Sequence, residues 1–170
     1  MFLRFYTASA NCGQSNPLKQ PLFIPMTTPS EVSGSIVQTW KDGQRILWTY
    51  LPELPAQDTR HAMPWLTVLR WEYNGSNSEG MPTAEENQHM LMLDVALGKI
   101  ERPEFCVEGY RRIGAGLREF VFYIADRDEF LEEFNRCVAN DPRYPITITF
   151  YKDEKWTELR NLVDDFRDTT

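Results

Sequence analysis

The order of strand-like and helix-like patterns after residue 64 is what most constrains the fold of this chain. Segments rich in aromatic and β-branched residues predict strands, and apolar residues at helical spacing behind a capping residue predict helices. The predicted elements are, in order, a strand at 65–73, a helix at 83–97, strands at 105–113 and 117–124, a helix from 126, a strand at 146–151 and a helix from 153. This order predicts an α+β fold of the ferredoxin-like split β-α-β type, with an antiparallel sheet and both crossover helices on one face.

Three positions predict where helices begin. Thr83 and Glu86 have the spacing of a capping box, and Asp126 and Asp153 stand where an N-cap is expected. The last helix has an apolar stripe at helical spacing, made of Trp156, Leu159, Val163 and Phe166.

The segment before residue 61 has a different character. Residues 1–30 contain four prolines and no apolar period, which predicts an irregular leader. A change in character after Met26 raises the hypothesis that the natural start is there, and whether the earlier residues are native stays open. Residues 31–60 hold two β-rich runs around Asp42-Gly43, which predicts a hairpin and linker that pack on the main domain at 61–170.

The charge balance bears on partners. The chain has 18 Lys and Arg residues against 25 Asp and Glu residues, a net charge of −7. This balance counts against a general nucleic-acid binder, because phosphate backbones attract basic surfaces. It suits a basic protein partner, or solubility alone. Three widely spaced cysteines and no long apolar run predict a cytoplasmic protein that does not contact a membrane.

Alternation divides each strand of the predicted sheet between two faces. The apolar set, expected under the helices, is Leu66, Val68, Phe120, Phe122, Ile124, Ile146, Ile148 and Phe150. The opposite set mixes aromatic and polar residues: Trp65, Thr67, Leu69, Trp71, Tyr73, Glu119, Val121, Tyr123, Thr147, Thr149 and Tyr151. One interpretation covers this second face with the N-terminal hairpin or the last helix. The other makes part of it, rimmed by Arg111, Arg118 and Glu119, a partner-binding surface, because aromatic and Arg side chains usually carry interface energy.

The sequence gives little support for an RNA-binding, metal-binding or catalytic site. RNA-recognition domains of this topology carry a basic residue, a glycine and stacking rings on the third strand. Here Ala115 precedes Gly116, and Leu117 and Glu119 stand where rings are needed. The two histidines lack metal-ligand spacing, and neither a nucleophile elbow nor a catalytic carboxylate pair is present. The sequence therefore predicts no metal ion, no cofactor and no catalytic residue, and favours a protein that is not an enzyme.

Several short motifs carry a family resemblance. They are Trp71-x-Tyr73, Gly80-Met-Pro82, the glycine-flanked hairpin leading into Leu117–Tyr123, Tyr144 with the last strand, and Asp153-x-x-Trp156. With these motifs, residues from about 64 to 166 resemble a bacterial domain family of unknown function, number 695. That resemblance implies no activity and no catalytic residue. In architecture and charge the chain is also similar to the ribonuclease E inhibitor protein B family, which implies only a greater expectation of protein binding.

Two functions stay open from the sequence. The first is a non-enzymatic regulatory or protein-interaction domain that uses its aromatic sheet face. Its candidate partner-binding residues are Trp71, Tyr73, Arg111, Arg118, Glu119, Tyr123 and Tyr151. The second is a small-molecule-binding protein or enzyme with a cleft between the N-terminal hairpin and the sheet, lined by Trp71, Tyr73, Arg111, Arg118 and Glu119. The expected partner is another protein, and the sheet edges also allow pairing with a second copy.

Overall fold

A computed structural model of the protein describes residues 34–76 and 78–167. The strands in this part are β1 (Ser35–Lys41), β2 (Gln44–Tyr50), β3 (Trp65–Glu72), β4 (Cys106–Gly114), β5 (Leu117–Ile124) and β6 (Ile146–Lys152). The helices are α1 (Gln57–Ala62), α2 (Ala84–Gly98), α3 (Arg127–Cys137) and α4 (Thr157–Arg167). The predicted leader at 1–30 and the hypothetical start at Met26 lie outside the described residues.

The strands form one sheet in the order β1-β2-β4-β5-β3-β6. Every neighbouring pair is antiparallel, so the predicted α+β class and antiparallel sheet are confirmed. The hairpin of β1 and β2 was expected to pack on the main domain. It joins that domain through pairing of β2 with β4, for example Trp48 opposite Arg112, and so extends the sheet sideways.

One face of the sheet, the α2–α3 face, packs against α2 and α3. Each helix contributes buried apolar side chains to a single core with the strands. The fully or nearly buried members are Leu69, Trp71, Met90, Leu93, Leu97, Ile100, Cys106, Phe120, Phe122, Ile124, Phe130 and Phe134. The placement predicted for the apolar residues of β5 and β6 on this side is confirmed, since Ile146, Ile148 and Phe150 pack against the same core.

The opposite face, the α4 face, is partly covered by α4. The predicted stripe is confirmed, because Trp156, Leu159, Val163 and Phe166 are all buried. Trp156, Leu159 and Val163 pack with Tyr110, Val121 and Tyr123 from the strands. The ring of Phe166 contacts those of Trp48 and Tyr50. The short helix α1 lies in the segment that we expected to be only a linker. The indole N–H of Trp156 donates to the carbonyl oxygen of Met63 just after α1, at 3.1 Å.

All three predicted caps form. The Thr83 hydroxyl accepts from the N–H of Glu86 at 3.2 Å, while the Thr83 N–H donates to the Glu86 carboxylate at 2.9 Å. Asp126 accepts from two N–H groups in the first turn of α3. Asp153 does the same for α4, at 2.8 and 3.0 Å. Side-chain caps satisfy the free N–H groups of a helix start, which explains why these positions were readable from sequence.

The predicted faces of β3 are reversed in the structure. Leu66 pairs with both Tyr123 and Tyr151, and residues directly opposite each other in antiparallel strands share a face. The α4 face therefore carries Leu66 and Val68, and the α2–α3 face carries Trp65, Thr67, Leu69, Trp71 and Tyr73. The predicted assignment of these residues is wrong. β3 has apolar residues on both faces, so its alternation did not indicate which set faces α2 and α3.

Candidate functional site

A groove of about 560 Å³ opens on the α4 face of the sheet. It runs along β3 and β6 beside the start of α4, and we call it the α4 groove. Its lining consists of Leu66, Val68, Arg70, Glu72, Tyr110, Glu119, Thr147, Thr149, Tyr151, Asp153, Thr157 and Glu158. Volumes of a few hundred Å³ are typical of sites that hold a small molecule or a few side chains.

The lining of the α4 groove is acidic. It contains four carboxylates, from Glu72, Glu119, Asp153 and Glu158, and one guanidinium, from Arg70. The remaining polar lining comes from threonine and tyrosine hydroxyls. A concave surface with one sign of charge focuses its field into the groove and attracts ligands of the opposite charge.

Glu119 lies at the bottom of the groove between two arginines. Its side chain is 9% exposed. The Nε and Nη2 atoms of Arg70 donate to its Oε2 at 3.1 and 3.0 Å, and the Nε of Arg112 is 3.5 Å from its Oε1. Hydrogen bonding to this carboxylate, reinforced by its charge, raises the pKa of Arg70.

Two tyrosines link the groove to α4. The Tyr110 hydroxyl donates to Glu158 at 3.3 Å, and burial raises the pKa of Tyr110. The Tyr123 hydroxyl donates to Asp153 at 3.0 Å and accepts from the N–H of Leu159 at 3.2 Å. Burial disfavours the charge of Asp153, but hydrogen bonds from the start of α4 and from Tyr123 outweigh it and lower the pKa of Asp153.

β6 forms the open side of the groove. Within the described residues it pairs with β3 alone and ends the sheet. Its residues alternate, and Thr147, Thr149 and Tyr151 are the exposed members that line the groove. The outer edge of this strand therefore runs beside the groove, and an edge strand presents backbone N–H and C=O groups to solvent.

The structure divides the candidate partner-binding residues between the two faces. Glu119 and Tyr151 line the α4 groove, and Tyr151 is 55% exposed. Tyr123 is on the same face but has no exposed surface, because its ring stacks on Trp156 at a centroid distance of 3.7 Å. The other four, Trp71, Tyr73, Arg111 and Arg118, belong to the α2–α3 side.

Those four residues are engaged in internal contacts. Trp71 is in the core, and the Tyr73 hydroxyl donates to the carbonyl oxygen of Gly80 at 2.8 Å. Burial raises the pKa of Tyr73 to about 12. Arg118 donates to both carboxylate oxygens of Asp94 in α2, at 2.8 and 2.7 Å.

Arg111 is held in the same way, between α2 and its own strand. It lies 3.3 Å from Asp94 and is paired with Glu108. Burial raises the pKa of Glu108 although Arg111 pairs with it. These ion pairs tie α2 to the sheet. The predicted surface that joins Arg111, Arg118 and Glu119 does not form, because the Glu119 side chain lies on the other face of the sheet.

The sequence reasoning missed five residues of the groove: Arg70, Glu72, Tyr110, Thr157 and Glu158. The described lining contains no residue of β1 or β2, so this groove is not the predicted cleft at the hairpin. One signal for Arg70 was present in the sequence: it stands opposite Glu119 once β3 and β5 are paired. Opposite charges at directly paired positions indicate a cross-strand ion pair.

Two further findings concern residues 34–76 and 78–167. They include no cluster of three or more His, Cys, Asp or Glu side chains placed to hold a metal ion. No helix among them is both long and apolar enough to cross a membrane.

Comparison with known proteins places the chain in a family. No curated protein and no solved structure matches it. A family model described as "Family of unknown function (DUF695)" matches residues 41–162. This range covers the chain from the end of β1 into α4 and includes every residue that lines the α4 groove. Because the match spans more than half of its length, the chain belongs to this family of unknown function, as the resemblance predicted.

Proposed function

We propose that the protein is a non-enzymatic interaction domain that binds a basic polypeptide segment in the α4 groove. The observation that carries this proposal is the charge of the lining, four carboxylates against one guanidinium. Complementary charge steers a partner to its site and suppresses partners of the wrong sign. The net charge of −7 acts in the same direction over a longer range.

The shape of the site supports a polypeptide as the ligand. A segment in extended conformation can add to the edge of β6 as a further strand, with main-chain hydrogen bonds supplying affinity. Alternate side chains of the added strand then face the same side of the sheet as Thr147, Thr149 and Tyr151. Basic side chains at those alternate positions lie over the acidic groove.

We infer that residues 61–170 have the ferredoxin-like split β-α-β arrangement. The spatial order β4-β5-β3-β6, with α2 and α3 on one face, supports this inference. A regulatory role like that of the ribonuclease E inhibitor protein B family is compatible with it, but fold alone does not specify function. We also propose a cytoplasmic location, which the free thiols of Cys106 and Cys137 support.

A second candidate is the binding of a small molecule, favoured by one observation. An arginine and a carboxylate, Arg70 and Glu119, meet in a groove of suitable volume. Against it, the two groups already satisfy each other, and the groove walls at Thr149 and Tyr151 are exposed rather than enclosing. The polypeptide is therefore the preferred ligand.

The test compares ten-residue fluorescent peptides that alternate valine with either arginine or glutamate. We expect the arginine peptide to bind the full chain, with fluorescence polarisation as the readout, and the glutamate peptide not to bind. Thr149→Arg should abolish binding by filling the groove with a cation. Glu158→Gln should weaken binding several-fold. Glu132→Gln, at an exposed position of α3 on the other face of the sheet, serves as the charge-matched control.

Two results would overturn the proposal: no binding of the arginine peptide, or binding that Thr149→Arg leaves unchanged. A thermal-shift screen of metabolites on the same protein separates the second candidate. A stabilising metabolite whose effect is lost in Thr149→Arg, together with no peptide binding, would assign the groove to a small molecule.

A further inference from the structure

The most buried carboxylate of the α4 groove, that of Glu119, already pairs with a guanidinium of the same chain. Arg70 contributes two N–H groups to the same oxygen, Oε2 of Glu119. The Glu119 side chain is 9% exposed, and that of Arg70 is 50% exposed. A nearly buried anion is therefore covered by a cation that approaches from the solvent side.

The second arginine at Glu119 is held much more firmly. The side chain of Arg112 is 19% exposed, its Nε lies 3.5 Å from Oε1, and its guanidinium lies 5.3 Å from the centre of the Trp48 ring. Cation–π contact and burial both fix a guanidinium in place. The side-chain hydrogen bonds of Arg70 go to Glu119, and Glu72 adds a weaker electrostatic attraction. Because the guanidinium of Arg70 is half-exposed, water can take the place of its partner, so its pairing is weak.

We propose that Arg70 is an internal competitor for the partner, and that an arginine of the partner replaces it at Oε2 of Glu119. This inference rests on the proposed function of the α4 groove. It assigns Glu119 as the specificity-determining anion. The exchange conserves charge and hydrogen bonds, since one guanidinium leaves the carboxylate as another arrives. The planar fork of donors that Arg70 presents to Oε2 is one that arginine reproduces and lysine does not.

Competition of this kind has a calculable effect on affinity. The partner's arginine reaches Glu119 only in molecules whose Arg70 has swung into solvent, so the apparent Kd equals the intrinsic Kd divided by that fraction. Because the guanidinium of Arg70 is half-exposed and is hydrated when it swings out, we take this fraction as about one half to one fifth. Removal of Arg70 should therefore tighten binding by about two- to fivefold.

The test is Arg70→Gln, with Arg136→Gln as the matched control. Both substitutions remove one positive charge from an exposed arginine that pairs with a glutamate. Arg136 belongs to α3, on the other face of the sheet, and its side chain is 67% exposed. We expect Arg70→Gln to lower the Kd of the arginine peptide about two- to fivefold, and Arg136→Gln to leave it unchanged.

Two additional measurements locate the effect at Glu119. For a peptide with lysine in place of arginine, Arg70→Gln should lower the Kd by a smaller factor. Glu119→Gln should weaken binding, and in its presence Arg70→Gln should no longer change the Kd. Circular dichroism reports whether each variant folds. The comparison of Arg70→Gln with Arg136→Gln stands even where Glu119→Gln does not fold.

The outcomes separate this inference from the groove function. If the arginine peptide binds the wild type but Arg70→Gln binds equally or more weakly, Arg70 is not a competitor and only this inference fails. Equal tightening by Arg136→Gln would attribute the gain to net charge and also overturn it. If no basic peptide binds the wild type or Arg70→Gln, both proposals fail together. Binding seen in Arg70→Gln alone would contradict both the binding proposed for the wild type and the two- to fivefold change expected here.

Discussion

Replacing Tyr123 by phenylalanine tests whether this residue is structural or a partner contact. Its ring is buried and stacks on Trp156. Its hydroxyl joins α4 to the sheet, because it donates to Asp153 and accepts from the N–H of Leu159. Tyr123→Phe keeps the ring and removes only the hydroxyl, so its effect measures those two hydrogen bonds.

The structure sets the size of the expected loss. Without the hydroxyl, the buried N–H of Leu159 has no partner at that position. An unsatisfied buried polar group costs about 1–3 kcal/mol. We therefore expect Tyr123→Phe to lower the free energy of unfolding by about 1–3 kcal/mol. Partner binding in the α4 groove should be unchanged, since Tyr123 does not line it.

Urea unfolding followed by circular dichroism measures this loss. The control is Tyr151→Phe, because Tyr151 lies on the same face and is 55% exposed. Exposed substitutions of this kind change stability by less than about 0.5 kcal/mol. If Tyr123→Phe proved as harmless as Tyr151→Phe, or weakened peptide binding without loss of stability, the structural role assigned to Tyr123 would be wrong.

Three other substitutions probe separate parts of the fold. The folded-state pKa of Asp153 is lowered, so its contribution is present above the ordinary Asp pKa of about 4 and is lost as pH falls below it. Asp153→Asn should therefore make the free energy of unfolding depend less on pH in acid. An unchanged slope below about pH 4 would refute this. Gly114→Ala should lower the free energy of unfolding by at least about 2 kcal/mol. The reason is that φ of Gly114 is +133° and the new Cβ would lie 2.0 Å from the carbonyl oxygen of Arg45. A variant as stable as the wild type would contradict this geometry. Asp94→Ala should lower the free energy of unfolding by about 3–5 kcal/mol, because it leaves the buried guanidinium of Arg118 unpaired. A loss below about 1 kcal/mol in urea unfolding would show that this ion pair does not stabilise the fold.

Local chemistry explains which parts of the fold the sequence predicts well. Caps act within one helical turn, so Thr83, Asp126 and Asp153 indicated helix starts that the structure contains. The turn at Asp42-Gly43 is equally local, because both residues have positive φ, 52° and 75°. The short helix α1 lacks a side-chain cap and any buried residue, so the sequence gives it no comparable signal.

The faces of β3 depend on pairing rather than on local chemistry. Leu66, Val68 and Leu69 are all apolar, and both faces of this strand meet packed side chains. A strand that is buried on both sides lacks the alternation of polar and apolar residues that would reveal its orientation. A shift of one residue exchanges the two faces of a strand completely. Trp71 and Tyr73, which we expected on the binding surface, therefore lie on the α2–α3 face and contact its core.

The same pairing decides what the candidate site is made of. Arg70 and Glu119 are 49 residues apart in sequence, and they meet because β3 and β5 pair in one register. Shifted by one residue, β3 would set Leu69 or Trp71 opposite Glu119 and turn Arg70 toward α2 and α3. This one long-range pairing register therefore determines the acidic groove, its internal cation and the burial of Tyr123 under α4. That choice is favoured because it buries Leu69 and Trp71 with the α2–α3 core while leaving Arg70 half-exposed.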